Sequence, residues 1–223
     1  LLISREVFYD PSSPEVSISF GGQRNWFKPD SSVLLQVKMS DPQNKLLEKE
    51  NPQITLASQR LPVLLSFDEE TNELAGFITI PDKLIDGNLT GNITFLTTNG
   101  TRQSFPFSIN IDSSSPNIGL LPHSPWRCRS ATRLSFPISD AGSGLDLIGT
   151  ILKIDGMTQN SLSYEANHLF CSLSIPLTEG SHEAEIIARD LVGNISTATS
   201  FTLLIDTSPI IATANEERST PTG

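Results

Sequence analysis

The chain has 223 residues, 37% of them hydrophobic, and a formal net charge of −10. That length suits one large domain or two of ordinary size, each able to bury its own core. The acidic balance argues against a nucleic-acid binder with a basic face, no apolar run approaches the roughly 18 residues of a membrane span, and solubility is the plain reading of the charge.

The sequence opens on Leu1, with no charged stretch or cleavage signal, so the chain reads as a piece of a longer protein. Residues 1–11 read as a lead-in or the end of a preceding unit. Short alternating runs rich in β-branched and aromatic residues then predict strands at 16–20, 33–39, 53–57, 77–80, 92–97 and 105–111. Between the second and third lies NKLLEKE (44–50), the best helix candidate. Flanked by Pro42 and Pro52, it has room for a two-turn loop helix at most. The later strands fall at 133–139, 150–155, 170–175, 182–188 and 200–205, separated by turn pairs such as Asp155-Gly156 and Asn99-Gly100. The expectation is all-β.

The two halves answer one another. Asp41 and Asp140 each end a strand, 99 residues apart; Pro81 and Pro176 are offset by 95, Asp86 and Glu179 by 93, Asp112 and Asp206 by 94. Trp26 and Trp126 lie 100 apart, each shortly before its half's second strand. A pattern that recurs in order at a nearly constant period predicts two tandem β-sandwich units of about seven strands, at 12–112 and 113–208. Residues 209–223 read as a polar tail or the start of another linker. Asp, hydroxyl residues and Pro recur at 10–14, 112–116 and 206–209. Each such stretch would close one unit and open the next: Pro stops the strand while Asp and Ser satisfy the freed backbone amides.

The second half, through SDAGSGLD (139–146), IDG (154–156), LTEGSHEAEIIARDLVGN (177–194) and FTLLIDTSP (201–209), resembles the bacterial Ig-like domains strung along secreted and cell-surface proteins. The match is strongest over 130–209. The first half replaces the Gly-Ser-Gly loop with SDPQNKLLEKENP and Asp-x-x-Gly-Asn with TTNGT, so its place rests on the internal repeat. The resemblance implies an extracellular, cell-surface or periplasmic location. It also implies a non-catalytic spacer role, projecting a functional domain of the same parent chain. An adhesin or carbohydrate-binding module, or accessory domains of a secreted hydrolase, are the alternatives.

Asp140 and Asp190 end strands on loops expected to be adjacent, and Asn194 and Ser143 offer further oxygens. The favoured reading is that each Asp caps its own turn; the lesser one is calcium, which takes six to eight oxygens, at Asp140, Asp190, Asn194 and the junction residue Asp112. No Gly-x-Ser-x-Gly, His-Glu-x-x-His or glycine-rich phosphate loop accompanies His182, and the resemblance implies a framework position for it. No catalytic residue and no cofactor are expected. Trp26 and Trp126, each beside basic residues, are candidate sugar-stacking rings, though their recurrence favours a framework role. Cys128 and Cys171 are left open between free thiols and a disulfide. The expected partners are neighbouring domains of the parent chain, with a surface glycan or protein ligand as the further option. Neither nucleic acid nor direct membrane insertion is expected.

Overall fold

The computed structural model describes residues 13–21, 25–47, 51–119, 125–129 and 132–208. The lead-in 1–11, the tail 209–223 and Arg24 lie outside the described residues. The chain divides into two compact units. The first comprises Leu1–Ser115 together with two loops from later in the chain, Asp140–Gly144 and Asp190–Asn194. The second comprises Pro116–Ser139, Leu145–Arg189 and Ile195–Gly223.

In the first unit, β1 (Glu15–Phe20), β3 (Ser32–Ser40), β8 (Glu73–Thr79) and β7 (Val63–Asp68) form one antiparallel sheet in the order β1-β3-β8-β7. The other sheet runs β2 (Trp26–Phe27), β10 (Arg102–Ile111), β9 (Gly87–Thr97), β5 (Gln53–Leu56), β6 (Gln59–Arg60). The short β4 (Leu46–Leu47) pairs with β9 off that path. Alternation explains the layering: Val33, Leu35, Val37 and Met39 of β3 are all buried, and the residues between them are half-buried or exposed. They meet Ile54, Leu56, Ile93, Phe95, Ile109 and Ile111 in one apolar cluster. Each such side chain contributes about 1.5–3 kcal/mol by leaving water.

The second unit repeats this order. β11 (Asn117–Ile118), β13 (Arg133–Ser139), β17 (His168–Ser172) and β16 (Leu162–Glu165) form one sheet. The other is β12 (Trp126–Cys128), β19 (Thr199–Ile205), β18 (Gly180–Ile187), β14 (Ile151–Ile154), β15 (Met157–Gln159). In both units the final long strand takes a short parallel partner, β2 on β10 and β12 on β19. Gly87 and Gly180 open equivalent strands at φ values of 118° and 121°. They sit opposite Ile111 and Ile205 respectively.

The helix expected at 44–50 does not form in its described part. The Asp41 carboxylate accepts the amides of Lys45 and Leu46 instead, and Leu46 is buried as a strand residue on β9. Two turns between prolines cannot repay helix nucleation, whereas burying Leu46 is favourable. Among the described residues no helix is long and apolar enough to cross a membrane.

The tryptophans differ in register. Phe27 pairs with Ile111 in the first unit, and Cys128 with Ile205 in the second. The position matching Trp26 is therefore Arg127, not Trp126. A one-residue offset sends a strand side chain to the opposite face. Trp126 packs on the second unit's core, its ring 5.6 Å from that of Phe136. Trp26 is not part of the first unit's apolar cluster.

Candidate functional site: a carboxylate node at Asp112

The node lies in the first unit, where β10 ends. The Asp112 amide donates to the Phe27 carbonyl (3.0 Å), which holds the chain as it leaves the strand. Asp112 Oδ1 accepts the Ser114 amide (3.1 Å), closing an Asx turn. Asp86 secures the next two residues. Its Oδ1 accepts the amide and hydroxyl of Ser113 (2.8 and 2.6 Å), and its Oδ2 the Ser114 hydroxyl (2.6 Å). Burial opposes ionisation of Asp86, but these Ser donors outweigh it and hold the carboxyl below its ordinary value.

The loops 140–144 and 190–194 complete the node. Asp140 Oδ1 accepts the amides of Gly142 (3.0 Å) and Gly144 (2.7 Å). Asp190 Oδ1 accepts those of Val192 (3.0 Å) and Asn194 (2.7 Å). The Ser143 amide donates to Asp112 Oδ2 at 2.6 Å. The Asn194 side-chain amide reaches Asp190 Oδ2 (2.7 Å) and the carbonyls of Asp112 (3.1 Å) and Ser114 (3.2 Å). A β-carbon on Gly142 would fall 2.3 Å from Asp112 Cγ, so only glycine fits there. All three aspartates cap turns. One oxygen from each also lies within 4.8 Å of the others. Asp112 and Asp190 are 1% and 0% exposed. Burial, with the Asp112 charge adding to it, pushes the Asp190 carboxyl up against its own hydrogen bonds.

The second unit repeats the local bonds. The Asp206 amide donates to the Cys128 carbonyl (3.0 Å), and Asp206 Oδ1 accepts the Ser208 amide (3.2 Å). Glu179 takes the place of Asp86, accepting the amide (3.0 Å) and hydroxyl of Thr207. Asp86 escaped the sequence reading as a site residue because Asp86-Gly87 reads as a turn. Its alignment with Glu179 was the available signal.

Other candidates lie apart from this chemistry. His182 is engaged at both ring nitrogens, with Asp155 Oδ2 at 2.6 Å and the Thr178 carbonyl at 2.9 Å, in a hairpin of the second unit. Cys128 and Cys171 are buried free thiols on opposite sheets of the second unit. Trp26 borders the node beside Asp86, Asp112 and Gly142, and also lines a shallow groove with Lys28, Val33, Leu191 and Val192.

The strand orders, with a short first-edge strand running parallel to the last, define the class: all-β immunoglobulin-like sandwiches. No protein-family model and no curated protein matches the chain. Among solved structures it is similar to the fibronectin(III)-like modules of Clostridium thermocellum CbhA, at 15% identity over 86% of this chain and 94% of that one, TM-score 0.39. It is also similar to a Ca2+-stabilized adhesin that helps an Antarctic bacterium bind ice, at 14% identity over 86% of this chain and 48% of that one, TM-score 0.37. A third is Bacteroides ovatus SGBP-B of the mixed-linkage glucan utilization locus, in complex with a heptasaccharide, at 16% identity over 83% and 43%, TM-score 0.29. None of these scores reaches 0.5, and the class rests on the strand topology.

Proposed function

We propose that the chain is a non-catalytic structural module of a larger secreted or cell-surface protein, a semi-rigid tandem spacer that projects a functional domain carried elsewhere in its parent. The observation that carries this reading is the fixing of residues 112–114. Backbone amides, hydroxyls and carbonyls of this segment are bonded to Asp86, Phe27 and Asn194, and the Asp112 carboxylate accepts the Ser143 amide. Connections in this class are exposed tethers unless something ties them down. Here the ties recur at Asp206, as a repeated structural device would.

Backbone 15N relaxation on the whole chain tests it. The amides of Ser113, Ser114 and Ser115 are expected at order parameters of about 0.85, equal to the strands. Values under about 0.6 would make the connection a loose tether and end the spacer reading.

The position of Trp26 favours one second reading, a carbohydrate-binding module, because its ring faces a groove and not the core. Saturable binding on a glycan array that is lost in Trp26→Ala would replace the first reading with this one.

A further inference from the structure

Four Asn-x-Ser/Thr acceptor sequons occur in the chain, at Asn88, Asn92, Asn99 and Asn194. The fold sorts them. Asn194 is 4% exposed, and its side-chain amide is committed to Asp190 Oδ2 and to the carbonyls of Asp112 and Ser114. A sugar on that nitrogen would displace these bonds from a closed node. The other three lie on the β9–β10 hairpin of the first unit, and all three are exposed. Along β9, Asn88, Thr90, Asn92 and Thr94 alternate with Leu89 and Ile93, which pack in the core. Each asparagine and the threonine of its sequon therefore emerge on the same solvent face.

The nitrogens are accessible to chemistry. The Asn92 side chain makes no hydrogen bond among the described residues, which leaves its amide open to solvent. Asn88 gives one proton to Asn110 Oδ1 (3.0 Å) and keeps the other. At the hairpin tip, Asn99 Oδ1 accepts the amide (3.1 Å) and hydroxyl (2.7 Å) of Thr101, the hydroxyl residue of its own sequon. The face around these residues is also unusual in carrying no charge. Neither 88–94 nor 104–110 contains a charged residue, and β10 sets Ser104 and Ser108 opposite Thr94 and Thr90. In the second unit the corresponding strands β14 and β18 bring Lys153 and Glu185, paired at 3.1 Å, to that face. Charged side chains of both signs ordinarily keep such a surface solvated. A covalently held sugar, bulky and hydrated, does the same work where they are missing.

We propose that the β9–β10 hairpin is a site of N-glycosylation, with Asn92 the principal acceptor and Asn88 and Asn99 beside it. The donor class is an oligosaccharide linked to a polyprenyl diphosphate. Asn92 Nδ2 attacks the anomeric carbon of the first sugar and forms the new C–N bond. The bond from that carbon to the diphosphate oxygen breaks, and the diphosphate leaves with the electron pair. The proton lost by the nitrogen passes to a basic group of the transferase. The sugar covers the uncharged face and keeps it from packing laterally against other proteins, as a projecting spacer requires. The proposal rests on the secreted or cell-surface reading, since this transfer takes place on exported chains.

Mass spectrometry of intact glycopeptides from the parent protein, taken from the exported and cytosolic fractions of its own cells, tests it. Sugar is expected on the Asn92 peptide and none on the Asn194 peptide. Asn92→Gln should abolish the glycan at that position. Thr94→Val should abolish it too, although the asparagine remains, because the sequon hydroxyl is gone; Thr94→Ser should retain it. Circular dichroism is expected to show all three variants folded, since Asn92 is exposed and Thr94 touches only Ser104 through its hydroxyl. Should Thr94→Val unfold, Asn92→Gln and Thr94→Ser decide. Exported protein with Asn92 bare overturns the proposal and leaves the spacer reading standing. Protein confined to the cytosol overturns both. Sugar on Asn194, or an undiminished glycan at Asn92 in Thr94→Val, also overturns it.

Discussion

Substituting Gly142 by Ala tests the tightness of the node with a single methyl group. The new carbon would stand 2.3 Å from both Cγ and Oδ2 of Asp112 and 2.6 Å from Oδ1. Ordinary contacts begin near 3.4 Å, so about 1 Å of displacement is forced. Asp112 cannot supply it by swinging away, because it is 1% exposed and its carboxylate is held by the amides of Ser114 and Ser143. The loop must move instead, and the 2.6 Å bond from the Ser143 amide is the first to go. Losing a hydrogen bond to a buried charge costs about 1.5–3 kcal/mol, and overpacking costs about 1–3 kcal/mol more. Reduced freedom of the unfolded chain returns about 0.4–1 kcal/mol. The net expectation is a loss of about 2–5 kcal/mol, read in urea as a lower midpoint at unchanged slope. Gly156→Ala is the control. Gly156 has φ of 78° but nothing within 4 Å of a β-carbon, so only left-handed strain of about 1–2 kcal/mol applies. A Gly142→Ala protein within about 0.5 kcal/mol of wild type would show that Asp112 and loop 140–144 do not pack as described.

The register offset predicts unequal tryptophans: Trp126→Ala should cost about 2–4 kcal/mol for its core packing and its edge contact with Phe136, and Trp26→Ala at least 1 kcal/mol less. Equal losses in denaturant melts would refute the offset. The His182–Asp155 pair predicts a pH window. The Asp155 hydrogen bond, then the Thr178 carbonyl, raises His182 above its ordinary 6.5, while the His182 bond, then the Glu183 amide, holds Asp155 below 3.8. The His182 contribution is complete below pH 6.5 and fades as pH climbs through its raised folded value; that of Asp155 is present above pH 3.8 and fades as pH falls through its depressed one. Wild-type Tm should therefore decline from pH 6 to 8 relative to His182→Gln, and parallel profiles would show the pair to be uncoupled. Burial pushes both thiols up, Cys171 to about 11, so neither should react with a disulfide reagent at pH 8 in the native protein. Two thiols should appear on unfolding under non-reducing conditions; none would mean a bridge.

Much of the sandwich was legible because its core strands announce themselves by alternation. The run Val33, Leu35, Val37, Met39 could face only one way. Strands β2, β4, β6, β7, β11, β12, β15 and β16 were missed, two of them, β6 and β16, for the same reason. They follow or precede hairpin turns whose two central residues both take positive φ without glycine: Ala57-Ser58 at 47° and 67°, Ala166-Asn167 at 48° and 62°. Type I′ turns normally declare themselves through Asn-Gly or Asp-Gly, as Asp155-Gly156 does here, and alanine gives no such sign. The node was half legible. Each aspartate was visible as a turn cap, because that role depends on residues two to four positions away. The nearness of Asp140 and Asp190 was expected from their adjacent loops, but Asp112 was grouped with them only in the lesser reading, since it is far from both in sequence and only the packing of loops joins them. No acidic run marked the place, so a dense cluster of acids was not expected there.

The same motif ends both units, yet its two copies solve the problem of charge differently, and the register offset explains why. At Asp206 the neighbouring strand offers Arg127, whose guanidinium lies 3.9 Å from the carboxylate, and the pair keeps side-chain exposures of 73% and 33%. So open an ion pair contributes little, but a carboxylate still touching water needs little. At Asp112 the equivalent strand position holds Trp26, which has no charge to give. The carboxylate there is fully covered, and Asp140 and Asp190 add like charges beside it. Covering an anion while removing its nearby cation is unfavourable on both counts, and hydrogen bonds offset only the loss of water. The exchange of Arg127 for Trp26 at matched positions is thus the difference in sequence that leaves Asp206 with a cation beside it and Asp112 with none.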